Sequence, residues 1–520
     1  MNIPYLLRRA AQQHGDRTAV LTENHSLTYS EFRVRVLRTA EALRRLGLRK
    51  GSRIGVLLLN SPQYLELYCA TAEVGIWIVP MNIRLSPDEM AFWLNDSAST
   101  ALVVDDKFCQ VPSQLASTLQ TVQTVLYAGG RECPPGMLDY SRLVEEAGPV
   151  EEADGPDEED LAGLFYTSGT TGGAKGVMLT HKNLYSNAMH AALGIGVTKE
   201  WVWTHAAPMF HLANGALMYA LLMAGAAHSF LPAFEPELFL KTVERFRVSS
   251  TILVPTMINM LLNHPAIDRY DVSSLRQFLY GASPMPLGLL RRAVDKMGNI
   301  FTQGYGLSEA APLLTLLEPT DHKFDQLDQE FTPVKSAGRP VVGVEVRVVD
   351  EMDRDLPPRQ GGEIIARGPN IMKGYWNQPG ISAHTLRGGW LHTGDIGAFD
   401  EHGFLYILDR AKDMVKTGGE NVHSPEVESV VSMHPGVLEA AIIGVPDEKW
   451  SEAIKAVVVR KPDASFTGDE LIGFCRQRLT HFKCPSTVDF IDALPKGGTG
   501  KILKSKLRQP YWQGKAKGVN

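Results

Sequence analysis

The chain has 520 residues, 44% of them hydrophobic, long enough for several domains with large cores. Its formal net charge is −6 with both signs scattered, so it carries no basic stripe and no nucleic-acid partner is expected. Five widely spaced cysteines, Cys69, Cys109, Cys133, Cys475 and Cys484, form no CxxC and indicate neither a disulfide framework nor a zinc site. In chain order, Phe32 to Leu46 has helical periodicity, Arg53 to Leu59 is a buried-strand run, and Pro62 to Val74 is helical again. Ala101 to Val104 and Thr124 to Ala128 read as strands. Alternation of this kind predicts a layered, mostly parallel α/β sheet. The opening apolar run is too short for a signal peptide, and no later run is long enough for an integral membrane segment. A reduced cytoplasmic location is expected.

An acidic stretch, Pro149 to Asp160, reads as a solvated linker. Leu161 to Tyr166 then reads as a buried strand, and Met178 to Met189 as a helix beginning near Thr180. Between them stands Thr167-Ser168-Gly169-Thr170-Thr171-Gly172-Gly173-Ala174-Lys175-Gly176-Val177. Glycines let a backbone turn sharply and approach a polyanion, and successive N–H groups form an anion nest. The hydroxyls add donors and Lys175 adds a charge, so the stretch reads as a phosphate-cradling loop. It is not G-x-x-x-x-G-K-[ST], because Lys175 precedes a glycine and no Ser or Thr follows it.

Further strands are predicted at Thr204 to Pro208, His228 to Leu231, Thr251 to Val254, Gln277 to Tyr280 and Ile300 to Gln303. Several end in short polar or glycine-bearing turns, at His211, Gly281-Ala282-Ser283 and Gly304-Tyr305-Gly306. Ligands of open α/β sheets bind at the carboxyl ends of strands, so these turns are candidate site walls. Residues 336–408 read as a compact antiparallel subdomain with a hairpin turn at Asp400-Glu401-His402-Gly403. Beyond Asp409-Arg410 a small α+β domain is expected: Gly418-Gly419, a helix near Pro425 to Met433, strands at Glu439 to Val445 and Ile454 to Val459, and a helix from Asp469 to Leu479. The expected division is 1–155 and 156–335 as α/β subdomains, 336–408 as the β subdomain, 409–412 as a hinge, and 413–520 as a small mobile domain.

Taken together, the ordered motifs make the chain resemble an acyl-CoA synthetase of the adenylate-forming superfamily, with firefly luciferase and peptide-synthetase adenylation domains. The motifs are the loop at 167–177, Pro208-Met209-Phe210-His211, Tyr305-Gly306-Leu307-Ser308-Glu309, Thr393-Gly394-Asp395, Asp409 to Glu428, and Pro495 to Lys501. Three departures are visible: Ala174 for the usual proline, Ser308 for threonine, and Pro425 one place later than usual.

The resemblance implies ATP and coenzyme A as co-substrates, a small-molecule carboxylic acid as partner, and magnesium. It assigns the β- and γ-phosphates to Thr167, Ser168, Gly169, Thr170, Thr171, Gly172 and Lys175, and the metal to Thr167 and Glu309. Tyr305, between Gly304 and Gly306, would stack on the purine, with Gly281-Ala282-Ser283 on its other face and Ser308 beside it. Asp395 would accept the ribose hydroxyls with Arg410 assisting. Lys501 would bridge carboxylate and α-phosphate. Lys412 falls at the hinge where the small domain rotates, bringing Gly418-Gly419, with Lys416, to the acyl-AMP. His211 would gate the acyl channel or lie near the thiol entry, and the other candidate walls of that channel are Met209, Leu212, Gly215 and Leu313.

The expected activity is two-step: acid and ATP give acyl-AMP and pyrophosphate, then coenzyme A gives acyl-CoA and AMP. A medium- or long-chain fatty acid is the first expectation and an aryl acid such as coumarate the alternative. A carrier-protein-loading enzyme and a non-catalytic nucleotide-binding regulator are the competing classes. Pro208 to Gly215 contains no acid, which disfavours an amino-acid substrate. A homodimer is compatible with all of these.

Overall fold

The computed structural model describes residues 1–149, 155–167, 174–283, 285–325, 327, 331–410, 412–418, 420–447, 450–496 and 502–513. By internal contacts the chain falls into two units: Met1–Val346 with Ala366–Leu391, and Arg347–Ile365 with His392–Asn520. The expected subdomain 336–408 is thus divided between them. Met372, Tyr375 and Leu391 are drawn into the large apolar core of the first unit, which accounts for where Ala366–Leu391 belongs.

The first unit is α/β, with two sheets. One has eight strands in the order Gly374–Tyr375, Lys175–Thr180, Leu161–Thr167, Trp77–Pro80, Arg53–Leu57, Ala101–Val104, Thr124–Tyr127, Leu138–Asp139. From Leu161–Thr167 onward its neighbours pair parallel. Strands buried on both faces read as continuous apolar runs, and Ala101–Val104 is wholly buried. The second sheet has nine strands: Arg339–Pro340, Leu313–Leu317, Phe301–Gly306, Gln277–Gly281, Ser250–Leu253, Val202–His205, Ala227–Phe230, Thr18–Leu21, Ser26–Thr28. Its centre is parallel and its edges antiparallel.

The helices begin where local chemistry says they should. Tyr29–Arg45 starts with a capping box in which Thr28 and Glu31 satisfy each other's backbone N–H groups, and Pro62–Glu73 starts behind the Ser61 cap with proline at its first turn. One expectation is corrected. The helix does begin near Thr180, running from His181 to Ile195 behind a Thr180 cap, but Met178 and Leu179 are not part of it: they belong to the strand Lys175–Thr180, which folds back antiparallel onto Leu161–Thr167. The β-branched and apolar residues Val177 to Leu179 have a paired strand on one side and Gly374–Tyr375 on the other, which outweighs their helical periodicity.

The second unit holds a four-stranded sheet, Glu345–Val349, Gly362–Arg367, Leu391–Phe399 and Leu405–Arg410, with the expected hairpin between its last two strands. Its other sheet orders Glu420–Val422, Val415–Thr417, Ser451–Arg460 and Val437–Asp447, with Thr487–Phe490 parallel to Ser451–Arg460. Ser424–Ser432 and Gly468–Arg476 pack on it as helices, and Lys504–Trp512 is a third. All five cysteines are free. No described helix is long and apolar enough to cross a membrane.

Candidate active site

The hairpin places Thr167 opposite Lys175 across the ladder, at the mouth of the predicted loop. Ser168, Gly169, Thr170, Thr171 and Gly172 lie outside the described residues, as do Gly419 and Lys501. On the outer side of Lys175–Thr180, Tyr375 pairs with Val177 and Gly374 with Met178. This edge carries Tyr375 to Glu309: its hydroxyl donates to Oε1 at 2.8 Å, and Met372 N–H donates to the Glu309 carbonyl at 2.8 Å. Burial, then the Glu309 charge, pushes the Tyr375 hydroxyl well above its ordinary pKa, so it stays a donor. Lys175 Nζ stands 5.1 Å from the Tyr375 ring centroid, a cation–π distance. Thus Glu309 and Lys175, more than a hundred residues apart, meet through Tyr375.

Glu309 sits in the single turn Ser308–Ala310 that follows Phe301–Gly306. That turn is held by main-chain approach. Leu307 N–H donates to the Pro312 carbonyl at 2.9 Å, and Asn370 Nδ2 donates to the carbonyls of Ala310 at 2.7 Å and Leu313 at 3.0 Å. A Cβ on Gly306 would lie 1.8 Å from the Pro312 carbonyl oxygen, and one on Gly281 2.3 Å from the Gly304 carbonyl oxygen. Gly281 and Gly304 face each other in register, with Tyr305 paired to Thr315 on the far edge. The structure therefore brings Gly281, Gly304, Tyr305, Gly306, Ser308 and Glu309 to the carboxyl ends of two adjacent strands. The glycines serve close backbone packing here. Ala282 takes a left-handed φ of 62° and Ser283 follows it.

Of the acyl-wall candidates, Met209, Leu212 and Leu313 are buried in one apolar cluster. Gly215 lies against Met209, where a Cβ would stand 2.4 Å from the Met209 carbonyl oxygen. His211 caps the turn Leu212–Gly215, its Nδ1 accepting from Ala213 N–H at 3.2 Å.

In the second unit Asp395 and Arg410 are cross-strand partners, with Arg410 Nε 3.2 Å from Asp395 Oδ1. Their joint assignment came from motif order alone. Next to them Asp409 accepts from Ser424 N–H at 2.7 Å and from the Ser424 hydroxyl. Lys504 Nζ reaches both the Ser424 hydroxyl and Glu428 at 2.6 Å. Burial raises the pKa of Asp409 and of Glu428, and the Lys504 ammonium opposes this in both. Arg508 donates to the Lys412 carbonyl at 2.7 Å and pairs with Asp413 at 2.9 Å. Gly418 takes a φ of 59°, donates its N–H to the Trp450 carbonyl at 2.9 Å and packs on the Trp450 ring. Lys416 lies on the short strand Val415–Thr417 with its side chain exposed.

Sequence reading missed Tyr375, Asn370, Lys504 and Arg508. Nothing local in Lys373-Gly374-Tyr375-Trp376 points to an acid 66 residues earlier.

The comparisons agree with this geometry. The family model described as AMP-binding enzyme matches residues 7–376, and the AMP-binding enzyme C-terminal domain matches 426–501. A feruloyl-CoA synthase from Amycolatopsis is 38% identical over 97% of this chain and 98% of its own length. A 2-succinylbenzoate–CoA ligase from Bacillus cereus is 32% identical over 98% of each. Among solved structures, ATP-bound MatB from Rhodopseudomonas palustris superposes with a TM-score of 0.87 at 31% identity, covering 98% of this chain and 99% of its own. The o-succinylbenzoate CoA synthetase from Bacillus subtilis, in complex with its acyl-adenylate, gives 0.84 at 31% identity, covering 96% and 97%. With the family model over most of the chain and these near full-length relatives, the chain belongs to the AMP-binding enzymes, among their adenylate-forming acid–thiol ligases.

Proposed function

We propose that this chain is an aryl-acid–CoA ligase acting on a hydroxycinnamate-type acid. The observation that carries this reading is the near full-length similarity to feruloyl-CoA synthase. The relatives named for 2-succinylbenzoate share the aryl carboxylate class. A fatty acid is the first expectation from the apolar residues around Leu313, and the feruloyl and 2-succinylbenzoate relatives favour an aryl acid over it. The buried wall at Met209, Leu212 and Leu313 accepts an apolar ring as readily as an alkyl chain.

The proposed chemistry runs in two displacements. A carboxylate oxygen attacks the α-phosphorus of ATP, the bond to the β-phosphate oxygen breaks, and pyrophosphate leaves. The thiolate sulfur of coenzyme A then attacks the acyl carbon, and AMP leaves with the bridging oxygen. Two anions approach in the first step, so fixed positive charge and dipoles must meet them. Lys175 and the hydroxyl-rich loop would hold the β- and γ-phosphates, and Asp395 with Arg410 the ribose. Lys501 would neutralise the attacking carboxylate and α-phosphate.

Among the described residues no group of three His, Cys, Asp or Glu forms a metal cage. One carboxylate plus phosphate oxygens is a sufficient set for magnesium, and Glu309, with Oε1 oriented by Tyr375, fits it. When bound, the cation would offset phosphate charge. In the second step, rotation about Lys412 would present Gly418-Gly419 and Lys416 to the pantetheine arm.

The test is a panel of acids assayed for AMP release with coenzyme A present. Ferulate and coumarate should give kcat/KM values well above octanoate and palmitate. The reverse order would overturn the aryl assignment.

A further inference from the structure

The segment that follows the strand Val202–His205 carries Met209 and His211, yet it has no strand partner to satisfy its backbone. Buried main-chain groups must be paired somewhere. Here the main partners are side chains from the loop and helix that follow Arg53–Leu57 of the other sheet. Asn60, just past Arg53–Leu57, donates both Nδ2 hydrogens, to the carbonyls of His205 and Ala207 at 2.9 Å each. Its Oδ1 accepts the Met209 N–H at 2.8 Å. Tyr68 completes the hold by donating its hydroxyl to the Met209 carbonyl at 2.9 Å. Met209 is therefore gripped at both its N–H and its C=O.

Asn60 is 6% exposed and Tyr68 1% exposed, so water cannot substitute for either. Three hydrogen bonds use Asn60's two donors and one acceptor site. Asn214 reinforces the hold from within the segment, its Nδ2 donating to the same Ala207 carbonyl at 2.6 Å. Its Oδ1 accepts from Trp203 Nε1 at 3.3 Å and faces His205 Nδ1 at 3.1 Å. His205 Nε2 in turn meets His228 Nδ1 at 3.0 Å. Burial lowers the His205 pKa to about 4 and holds that of His228 well below its ordinary value, so the pair is neutral and the network does not change with pH near neutrality.

We propose that Asn60 and Tyr68 are positioning residues that set acid specificity, by fixing where the Met209 backbone stands against the bound acid. This rests on the assignment of Met209 and His211 to the acid-binding wall. The Tyr68 hydroxyl also stands 3.0 Å from where a Cβ on Gly215 would be, so the same side chain bounds the wall at a second point. Neither residue need touch substrate. A shift of the Met209 backbone by a few tenths of an ångström would alter the width offered to the acid and leave the nucleotide side untouched.

The test is acid-dependent pyrophosphate exchange with Tyr68→Phe, which removes only the hydroxyl, and with Asn60→Asp, which keeps the acceptor and loses both donors. Tyr68→Phe should raise KM for the acid about five- to twentyfold, the usual range for one buried hydrogen bond, and leave KM for ATP within about twofold. It should also change the kcat/KM ratio between coumarate and ferulate, which differ by one methoxy group. Asn60→Asp should move both readouts further the same way. A lower melting temperature with both acid readouts unchanged would overturn the proposal, as would equal rises in the two KM values. If Asn60→Asp fails to melt cooperatively, Tyr68→Phe decides alone. Should the native chain prefer fatty acids, the aryl reading falls, and the same KM comparison, with two alkyl lengths for the ratio, still decides this proposal.

Discussion

Around Glu309 the chain is held chiefly by close approach of its own backbone, with Asn370 and Tyr375 reinforcing it. Around Asp409 it is held by side chains. At the first place Gly306 and Gly281 admit a neighbouring carbonyl where a methyl group would collide, and Asn370 bonds two more carbonyls. At the second, Asp409, Ser424, Lys504 and Glu428 form a connected polar cluster, and Arg508 ties Lys412 and Asp413 to the last helix. Backbone packing has one solution and transmits strain, as close-packed interiors do. Side-chain contacts can be exchanged for others by rotamer changes that leave the main chain in place. The contrast fits the proposed roles, a phosphate-holding surface of one geometry in the first unit and a pivoting segment in the second.

The comparison breaks most sharply at Gly306. Gly306→Ala should abolish measurable adenylation, because 1.8 Å to the Pro312 oxygen can be relieved only by moving the backbone that carries Glu309. Overpacking of this kind costs about 1–3 kcal/mol of stability, so the variant should still fold at 25 °C. Normal pyrophosphate exchange would refute main-chain rigidity as the organising device.

Glu309→Gln is the next largest. It keeps the shape and a hydrogen-bond acceptor for Tyr375 but loses the charge. Adenylation should fall on the order of 10²- to 10³-fold, comparable to removing one electrostatic stabiliser. Titrating magnesium should show a weakened dependence. An unchanged metal requirement would move the cation elsewhere.

On the side-chain-held side, Lys412→Pro tests the pivot. Proline fixes φ near −65°, and a hinge residue must change it. Acyl-AMP formation should stay within about threefold while the thioester step slows on the order of tenfold to a hundredfold. Equal slowing of both in a well-folded variant would remove Lys412 from that role.

The smallest effect is one of stability. Burial holds the folded pKa of Asp409 above 3.8 and of Glu428 above 4.5. An acid raised in this way contributes stability that is present below its unfolded value and lost as pH rises through the folded one. Lys504→Met should push both values further up and lower stability by about 2 kcal/mol at pH 8, less than for a fully buried pair because Glu428 keeps some exposure. The gap to the native chain, read from melting curves, should narrow toward pH 5. A gap independent of pH would mean that Lys504 acts through packing alone.

How much of this was legible depended on how far apart the partners lie. The run Ala101 to Val104, the hairpin at Asp400 to Gly403 and the helix near Pro425 follow from local pattern, and the structure has all three. Thr167, Glu309 and Asp395 were singled out through motif order, since local pattern alone gives none of them a role. Tyr375 and Asn60 were not, since a tyrosine after a glycine and an asparagine after an apolar strand gain meaning only through partners 66 and about 150 residues away. The strand Lys175–Thr180 was not seen, Lys175 to Val177 being read as loop and Met178 onward as helix, because so short a run fits either period and only pairing on both sides decides.

The Thr167–Lys175 register has one further consequence, for how the phosphate loop could change over evolutionary time. Strand pairing fixes both ends of the loop, so the entropy of bringing them together is set by ladder contacts outside it. Lengthening a closed segment costs only about 0.6 kcal/mol per doubling. Insertions or composition changes between these two residues would therefore be nearly invisible to a thermal melt while altering nucleotide affinity directly. Selection could tune the loop for ligand with little penalty in folding, which makes this stretch a place where variants that melt normally can still be inactive.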